Sequence, residues 1–227
     1  GRVWRKRPCR GEGGSRIDGE GDVVISGLRP KLDLLSPALV DRIIDEAFSI
    51  LERTGVFFEN PEARALFRDA GQEADDKTQR VRLGSRLVER CLATAPAVID
   101  LYDRAGETSF RVGGDEVHFD PGSSGTRILD HATQRERKPV TADLVSIARL
   151  TDALAHLHFQ STALVPSDVP GEIADDYRLY LGLLFSSKPV VTGTFRVAGF
   201  VPMRDRLAAI RGGAEGLRAK PLSIFDA

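Results

Sequence analysis

His156–Phe195 reads HLHFQSTALVPSDVPGEIADDYRLYLGLLFSSKPVVTGTF. An apolar run spans His158 to Val165, and Pro166-Ser167-Asp168-Val169-Pro170 forms a stiff polar loop. A helical pattern then covers Gly171 to Ser187, with Ile173, Tyr177, Tyr180, Leu181, Leu184 and Phe185 at helical spacing, and a second apolar run covers Val190 to Phe195. Strand, helix, strand is one βαβ unit, whose two strands run parallel because a crossover helix returns the chain to the same end of the sheet. Parallel sheets place their ligand sites in the loops beyond the carboxyl ends of the strands. That geometry makes Asp168 the first candidate site residue and Thr192, Thr194 and Phe195, at the next strand end, the second group.

The same alternation continues on both sides of this stretch. On the amino-terminal side, after Lys138-Pro139, Thr141 is placed as the cap of a helix bearing Leu144, Ile147, Leu150 and Leu154; on the other, a helix from about Val201 to Arg211 stops at Gly212-Gly213 and a strand begins at Leu222. Further upstream the pattern changes. Leu35-Ser36-Pro37 opens a helix with Ser36 as cap, Asn60-Pro61 opens a second, and Ser85 is expected to cap a third whose apolar face includes Cys91. From Val98 the period is that of strands: Val98–Tyr102, Thr108–Val112, a Gly113-Gly114 turn, Glu116–Phe119 and Thr126–Asp130. The expected organisation is therefore a basic tail over 1–30, a helical and β-hairpin region over 31–138, and part of a parallel α/β domain over 139–227.

Composition narrows the function. The chain has 227 residues, 41% hydrophobic and 29% charged, enough to bury a core. A net charge of -1 gives no basic field for nucleic acid, although the first ten residues, GRVWRKRPCR, hold five basic residues and no acid; this arm reads as a solvated tail. Cys9 and Cys91 lack the paired spacing of a zinc site or a disulfide framework, which suits a reducing cytoplasm. No apolar run reaches the roughly 20 residues of a membrane span, and the amino-terminus has no apolar signal core. The only methionine is Met203, and the sequence stops at Ala227 inside a strand-like run, so a fragment is expected.

Each candidate constellation has a plainer alternative. His156-Leu157-His158 could present two imidazoles as metal ligands, which would make a metal-dependent barrel hydrolase, but the pair sits at the wrong end of its strand. Asp168 could hold a cationic substrate or accept a proton, or equally cap the helix that follows it. Thr192-Gly193-Thr194-Phe195-Arg196 offers two hydroxyls, a ring and a guanidinium, with Gly193 allowing close approach of a ligand, against simple strand packing. Pro121-Gly122-Ser123-Ser124-Gly125 could cradle an anion, but it lacks the Lys-Ser/Thr ending of a phosphate loop, opens no helix and reads as a flexible turn. Asp226 would sit at a third strand end.

Taken together, several stretches resemble the trimethylamine methyltransferase family of corrinoid-dependent enzymes. They are Leu35-Ser-Pro with Ile50-Leu-Glu-Arg-Thr-Gly-Val, Phe119-Asp-Pro-Gly, Arg137-Lys-Pro-Val-Thr-Ala-Asp-Leu, Val165-Pro-Ser-Asp-Val-Pro, Ser187-Lys-Pro, Ile210-Arg-Gly-Gly-Ala-Glu and Lys220-Pro-Leu-Ser. The resemblance implies a TIM-type (β/α)8 barrel, of which this chain would be the first part, with any pyrrolysine in the remaining half. It also implies methyl transfer from a methylated or quaternary amine, glycine betaine-like or trimethylamine-like, to the cobalt of a corrinoid (cobalamin). That corrinoid is not bound directly but carried by a separate partner protein. No catalytic residue carries over; Asp168, Thr192, Thr194 and Phe195 stand as substrate-binding candidates on their strand-end position, with no metal, nucleic acid or membrane expected. The alternative is a non-catalytic remnant or interaction module, since a half barrel exposes sheet edges and should self-associate.

Overall fold

The computed structural model describes residues 34–226. The basic arm and Cys9 lie outside them. The chain divides into two compact units at Pro96/Ala97, so the boundary expected at 138/139 falls inside the second.

In the first unit, α1 (Pro37–Arg53) starts where the sequence places it: the Ser36 hydroxyl accepts the Leu39 N–H at 3.3 Å and Pro37 occupies the first turn. Next come β1 (Val56–Phe57) and α2 (Pro61–Asp69), the latter capped by Asn60 Oδ1 on the N–H groups of Glu62 and Ala63. β2 (Glu73–Asp75) and β3 (Arg80–Arg82) form a hairpin on which β1 also pairs, giving an antiparallel sheet β1-β3-β2. Its turn escapes a reading of hydrophobic periodicity because polar chemistry makes it: Asp75 accepts from the Lys77 N–H and the Thr78 hydroxyl, and Gln79 takes a left-handed φ of 54°. The third helix, α3 (Ser85–Thr94), begins one residue earlier than expected for a Ser85 cap: Gly84 is the cap and Ser85 is already helical. Cys91 is exposed, not buried, because the inward face of α3 runs through Leu87, Val88 and Leu92. Among the described residues of this unit the buried charge is Arg64, whose guanidinium donates to the carbonyls of Phe58 and Glu59 and to Asp76 Oδ1 at 2.9 Å.

The second unit opens with β4 (Val98–Tyr102) and β5 (Ser109–Gly113), paired antiparallel as expected. The Gly113-Gly114 turn forms, with Gly114 at φ 62°, but no strand follows at Glu116–Phe119. There His118 Nε2 meets the Arg111 carbonyl at 2.7 Å, a side-chain bond where a ladder would need backbone ones. A small hairpin, β6 (Ile128–Leu129) with β7 (Glu136–Arg137), leads into α4 (Thr141–Ala153). Then come β8 (Gln160–Ser161), α5 (Ala174–Phe185), β9 (Val190–Gly193), α6 (Phe200–Ile210), α7 (Ala214–Ala219) and β10 (Ser223–Asp226). β8, β9 and β10 form a parallel sheet with β9 central, in the registers Gln160↔Val190 and Ser223↔Val190. The βαβ unit is thus present, within a mixed α/β fold of helices and small sheets; no closed barrel occurs among the described residues.

Two core clusters hold this unit together. Leu179, Leu183, Val190, Met203, Leu207 and Leu222 join α5, α6 and the sheet; Leu144, Ala163, Leu164 and Leu181 join α4, α5 and the segment after β8. The side of α5 expected to face the core is only partly correct. Ile173, Tyr180 and Leu184 are exposed, while Asp175, Arg178, Leu179 and Gly182 are buried.

Polar fastenings complete the unit. Arg137 bridges Asp130 and Asp143, and the Val140 N–H donates to Asp143 Oδ2 at 2.8 Å. Thr141 is therefore not the cap of α4 but its first residue. Lys188 donates to the carbonyls of Thr151 and Leu154, satisfying the carboxyl end of α4. Arg211 donates to the carbonyls of Tyr102, Asp103 and Arg104.

Two predictions follow from these charges. Replacing Arg64 by Ala leaves the Phe58 and Glu59 carbonyls without a donor and should lower stability by about 2 kcal/mol, read as a fall in the denaturant midpoint. The hydrogen bond from Arg137, and next that from the Thr133 N–H, hold the Asp130 carboxyl at about 2, down from its ordinary 3.8. A depressed carboxyl stabilises the fold above its unfolded pKa and loses that contribution as pH falls through the folded one. Chemical denaturation between pH 5 and about 2 should show a decline over that window that flattens in Arg137→Gln.

Candidate active site

The carboxyl ends of β8, β9 and β10 surround a cavity of about 240 Å³ lined by Ser123, Ser124, Thr162, Arg178, Gly193, Thr194, Phe195 and Asp226. This is the location that parallel strand order dictates for a ligand site. Each lining group is brought there by a specific piece of backbone.

The floor is Thr162, immediately after β8, with Thr192 of β9 beneath it; both are about 1% exposed, and their hydroxyls lie 3.4 Å apart. β8 itself is shorter than the expected run to Val165. After Thr162, whose N–H still donates to the Val191 carbonyl, the backbone turns to another partner: Gly125 donates to Ala163 and Val165 donates to Gly125. This forms a parallel bridge between Gly125 and Leu164. The glycine-serine segment is consequently no flexible turn. It is docked along the sheet, with Ser124 held at φ 58° and its N–H bonded to the Thr162 carbonyl.

Arg178 forms the wall opposite this segment. It is 2% exposed and reaches Ser124 Oγ at 3.1 Å, the Thr162 carbonyl, and Asp175 Oδ1 at 3.2 Å, while its buried Nε has no partner. Burial is the main force on its pKa and pulls it down, against the opposing effect of Asp175. Asp175 Oδ2 in turn accepts the Phe195 N–H at 2.8 Å and lies 2.9 Å from the Thr194 hydroxyl. The pair therefore fixes both sides of the cavity: Arg178 holds β8 and the Ser124 segment, and Asp175 holds the turn after β9. Phe195 is 68% exposed, and its ring centroid lies 5.6 Å from the Arg178 guanidinium carbon.

The candidates read from sequence fall in three places. Thr194 and Phe195 line the cavity, and Thr192 lies one layer below. Gly193 does admit a close neighbour, which is Asp226: a Cβ there would collide with that carboxylate. Asp168 lies outside the lining. Its carboxylate accepts the Thr141 N–H at 2.9 Å and the Thr141 hydroxyl at 3.1 Å, so it satisfies the first turn of α4, the helix before it and not the one after.

His158 belongs to a ring cluster at the amino end of β8, with His118 at 5.0 Å and Phe110 and Phe159 around them. Burial first, and His118 next, lower its pKa. His156 is exposed, and no group of three or more His, Cys, Asp or Glu among the described residues is arranged to hold a metal. Arg178 escapes the sequence reading, and Ser123 and Ser124, read there as part of a flexible turn, line the cavity. A signal did exist for Arg178: Asp175, Arg178, Leu179 and Gly182 share the i, i+3, i+4, i+7 stripe of a buried helix face, and a charged pair in that stripe marks polar burial.

The sequence profile of the trimethylamine methyltransferase family (MTTB) matches residues 6–222. The trimethylamine methyltransferase MttB of Desulfitobacterium hafniense (strain DSM 10664 / DCB-2) is 30% identical over 173 residues, covering 76% of this chain and 35% of that protein. The glycine betaine methyltransferase of D. hafniense (strain Y51) is 30% identical over 198 residues, covering 87% of this chain and 41% of that protein. Trimethylamine methyltransferase MttB1 of Methanosarcina acetivorans is 29% identical over 153 residues, 64% of this chain and 30% of that protein. The chain spans less than half the length of each of these relatives. With a profile match that runs through nearly all of its sequence, the chain belongs to the trimethylamine methyltransferase family.

Proposed function

We propose that this chain forms part of a methyltransferase that takes a methyl group from a methylated or quaternary amine, glycine betaine-like or trimethylamine-like, and passes it to the cobalt of a corrinoid held by a partner protein. The observation that carries the reading is the cavity at the strand ends in a chain of this family. Its volume of about 240 Å³ suits a small amine. The corrinoid supplies the methyl acceptor, and the electron pair of the broken C–N bond leaves with the amine.

The residues of this chain act on the amine. Asp226 offers a carboxylate to its positive charge, and the exposed ring of Phe195 offers a face to its methyl groups. Thr194, anchored to Asp175, fixes the turn that presents the ring. Such a site works by orientation and charge complementarity and needs no general base. We read β8, β9 and β10 as consecutive staves of a TIM-type barrel, supported by their sequential parallel order and helical crossovers. The free thiol of Cys91 suits a reducing cytoplasm, and no helix among the described residues is long and apolar enough to cross a membrane.

Protein expressed from the complete reading frame should methylate free cob(I)alamin when given a methylated amine, followed by the absorbance change of the corrinoid. Phe195→Ala should lower kcat/KM by roughly two- to thirty-fold, the range of a single cation–π contact. Absence of turnover with every tertiary and quaternary amine tried would overturn the reading.

A further inference from the structure

The cavity wall that carries Ser123 and Ser124 is fastened at its other end by a group of rings outside the cavity. Residues 118–125 run as a strap along β8, an edge strand of the parallel sheet. The Phe159 N–H donates to the Phe119 carbonyl at 3.2 Å and the Ser161 hydroxyl donates to the Gly122 carbonyl; further along, the N–H groups of Ser124 and Gly125 donate to the carbonyls of Thr162 and Ala163 at 3.2 and 2.8 Å. The strap begins at His118. Its ring centroid lies 4.9 Å from that of Phe159 and, edge-on, 5.0 Å from that of His158, with the Phe110 ring of β5 at 6.1 Å from the first imidazole and 6.4 Å from the second. A carbonyl can only accept, so His118 Nε2, 2.7 Å from the Arg111 carbonyl, holds the proton of the neutral ring and its Nδ1 is bare. The Nδ1 atoms of His118 and His158 are both buried without a hydrogen-bond partner among the described residues.

These surroundings accept neutral imidazoles and penalise charged ones. A charged ring carries a proton on both nitrogens, and here the Nδ1 proton would be buried with no acceptor. The groups that bear on His158 offer no counter-charge: burial lowers its pKa first, and then His118 from the strap, His156 from the connection after α4 and Lys188 from just before β9. Lys188 is held in place by the carbonyls of Thr151 and Leu154. From β5 the contact is Phe110; Arg111, whose side chain alternates to the opposite face of the strand, is paired there with Asp100 at 3.3 Å. We propose that His118 and His158 form a pH-sensitive latch on the strap, closed while both rings are neutral and released when His158 takes a proton, so that residues 118–125 loosen from β8 and the Ser123–Ser124 wall of the cavity loosens with them. The sign follows from the direction of the shift. With a closed-state pKa below the ordinary histidine value of 6.5, the latch is at full strength above that value and weakens as pH falls beneath it. It acts on the cavity wall regardless of which molecule the cavity takes.

Hydrogen–deuterium exchange of the full chain, read by mass spectrometry at about pH 7.5 and about pH 5.5 and corrected for the intrinsic exchange rate, tests the latch. Each unit by which the pKa differs between closed and released states is a factor of ten in their balance, so exchange at the amides of Phe159, Ser124 and Gly125 should rise by roughly threefold or more at the lower pH. The amides of Leu179 to Leu183 in α5 should not change. His158→Phe keeps a ring in the cluster without a titrating nitrogen, and its strap amides should be equally protected at both pH values. Because that variant could fail to fold, the second measurement is made on the unmodified chain: nuclear magnetic resonance of the imidazole protons should show His158 titrating below 6.5. Strap exchange that does not rise, a rise of the same size throughout the chain, the same rise in a folded His158→Phe, or a His158 midpoint at or above 6.5 overturns the latch.

Discussion

Two opposite charges on one turn of α5, Asp175 and Arg178, hold the arrangement of this cavity. Both are buried, and neither is there to serve the other alone. Arg178 ties down the segment after β8 and the Ser124 loop; Asp175 ties down the turn after β9. Burying such a pair costs desolvation that a monodentate contact only partly offsets, so its gain is positional more than energetic. Strand ends that would otherwise fray are fixed relative to one another, and a concave polar site results.

The segments that carry the family resemblance have a different role. Arg137-Lys-Pro-Val-Thr-Ala-Asp-Leu contains its own ion pair, Arg137 with Asp143, and Val165-Pro-Ser-Asp-Val-Pro is bonded onto it: Ser167 to the Pro139 carbonyl, Asp168 to Thr141. Lys188 of Ser187-Lys-Pro closes α4, and Arg211 of Ile210-Arg-Gly-Gly-Ala-Glu gathers the carbonyls of the 102–104 turn. These motifs are the fastenings of the fold. The groups that line the cavity, Arg178, Thr194, Phe195 and Asp226, lie outside them. The scaffold and the cavity lining are therefore carried by different segments, as expected of loops held on a rigid sheet.

Local chemistry explains what could be read without coordinates. Ser36-Pro37 and Asn60-Pro61 start helices because cap and first-turn residues act on their immediate neighbours. The βαβ unit was legible because one apolar run, one helical period and a second run leave the chain little choice but a parallel pairing. That direction alone places Thr194 and Phe195 at the end of the sheet where the cavity lies. Polar burial is harder to read, because it shows only where a charged pair is accepted as part of a buried helical stripe. The stripe through Asp175 and Arg178 is assigned to solvent by any rule that reads charge as exposure, and the exposed Ile173, Tyr180 and Leu184 were assigned to the core by the same rule.

The sequence by itself determined the order and direction of the elements of the βαβ unit, and with them the end of the sheet at which the cavity lies, because those follow from interactions within a few residues. Only the tertiary structure decided which groups stand at that end. Ser124 reaches Arg178 across 54 residues and Asp168 reaches Thr141 across 27, and pairings at such separation depend on how the helices pack, which no local pattern records. So Asp168, the residue that the opening βαβ stretch first singles out, proves to be a helix cap, and the guanidinium ten residues further on is the one that faces the cavity.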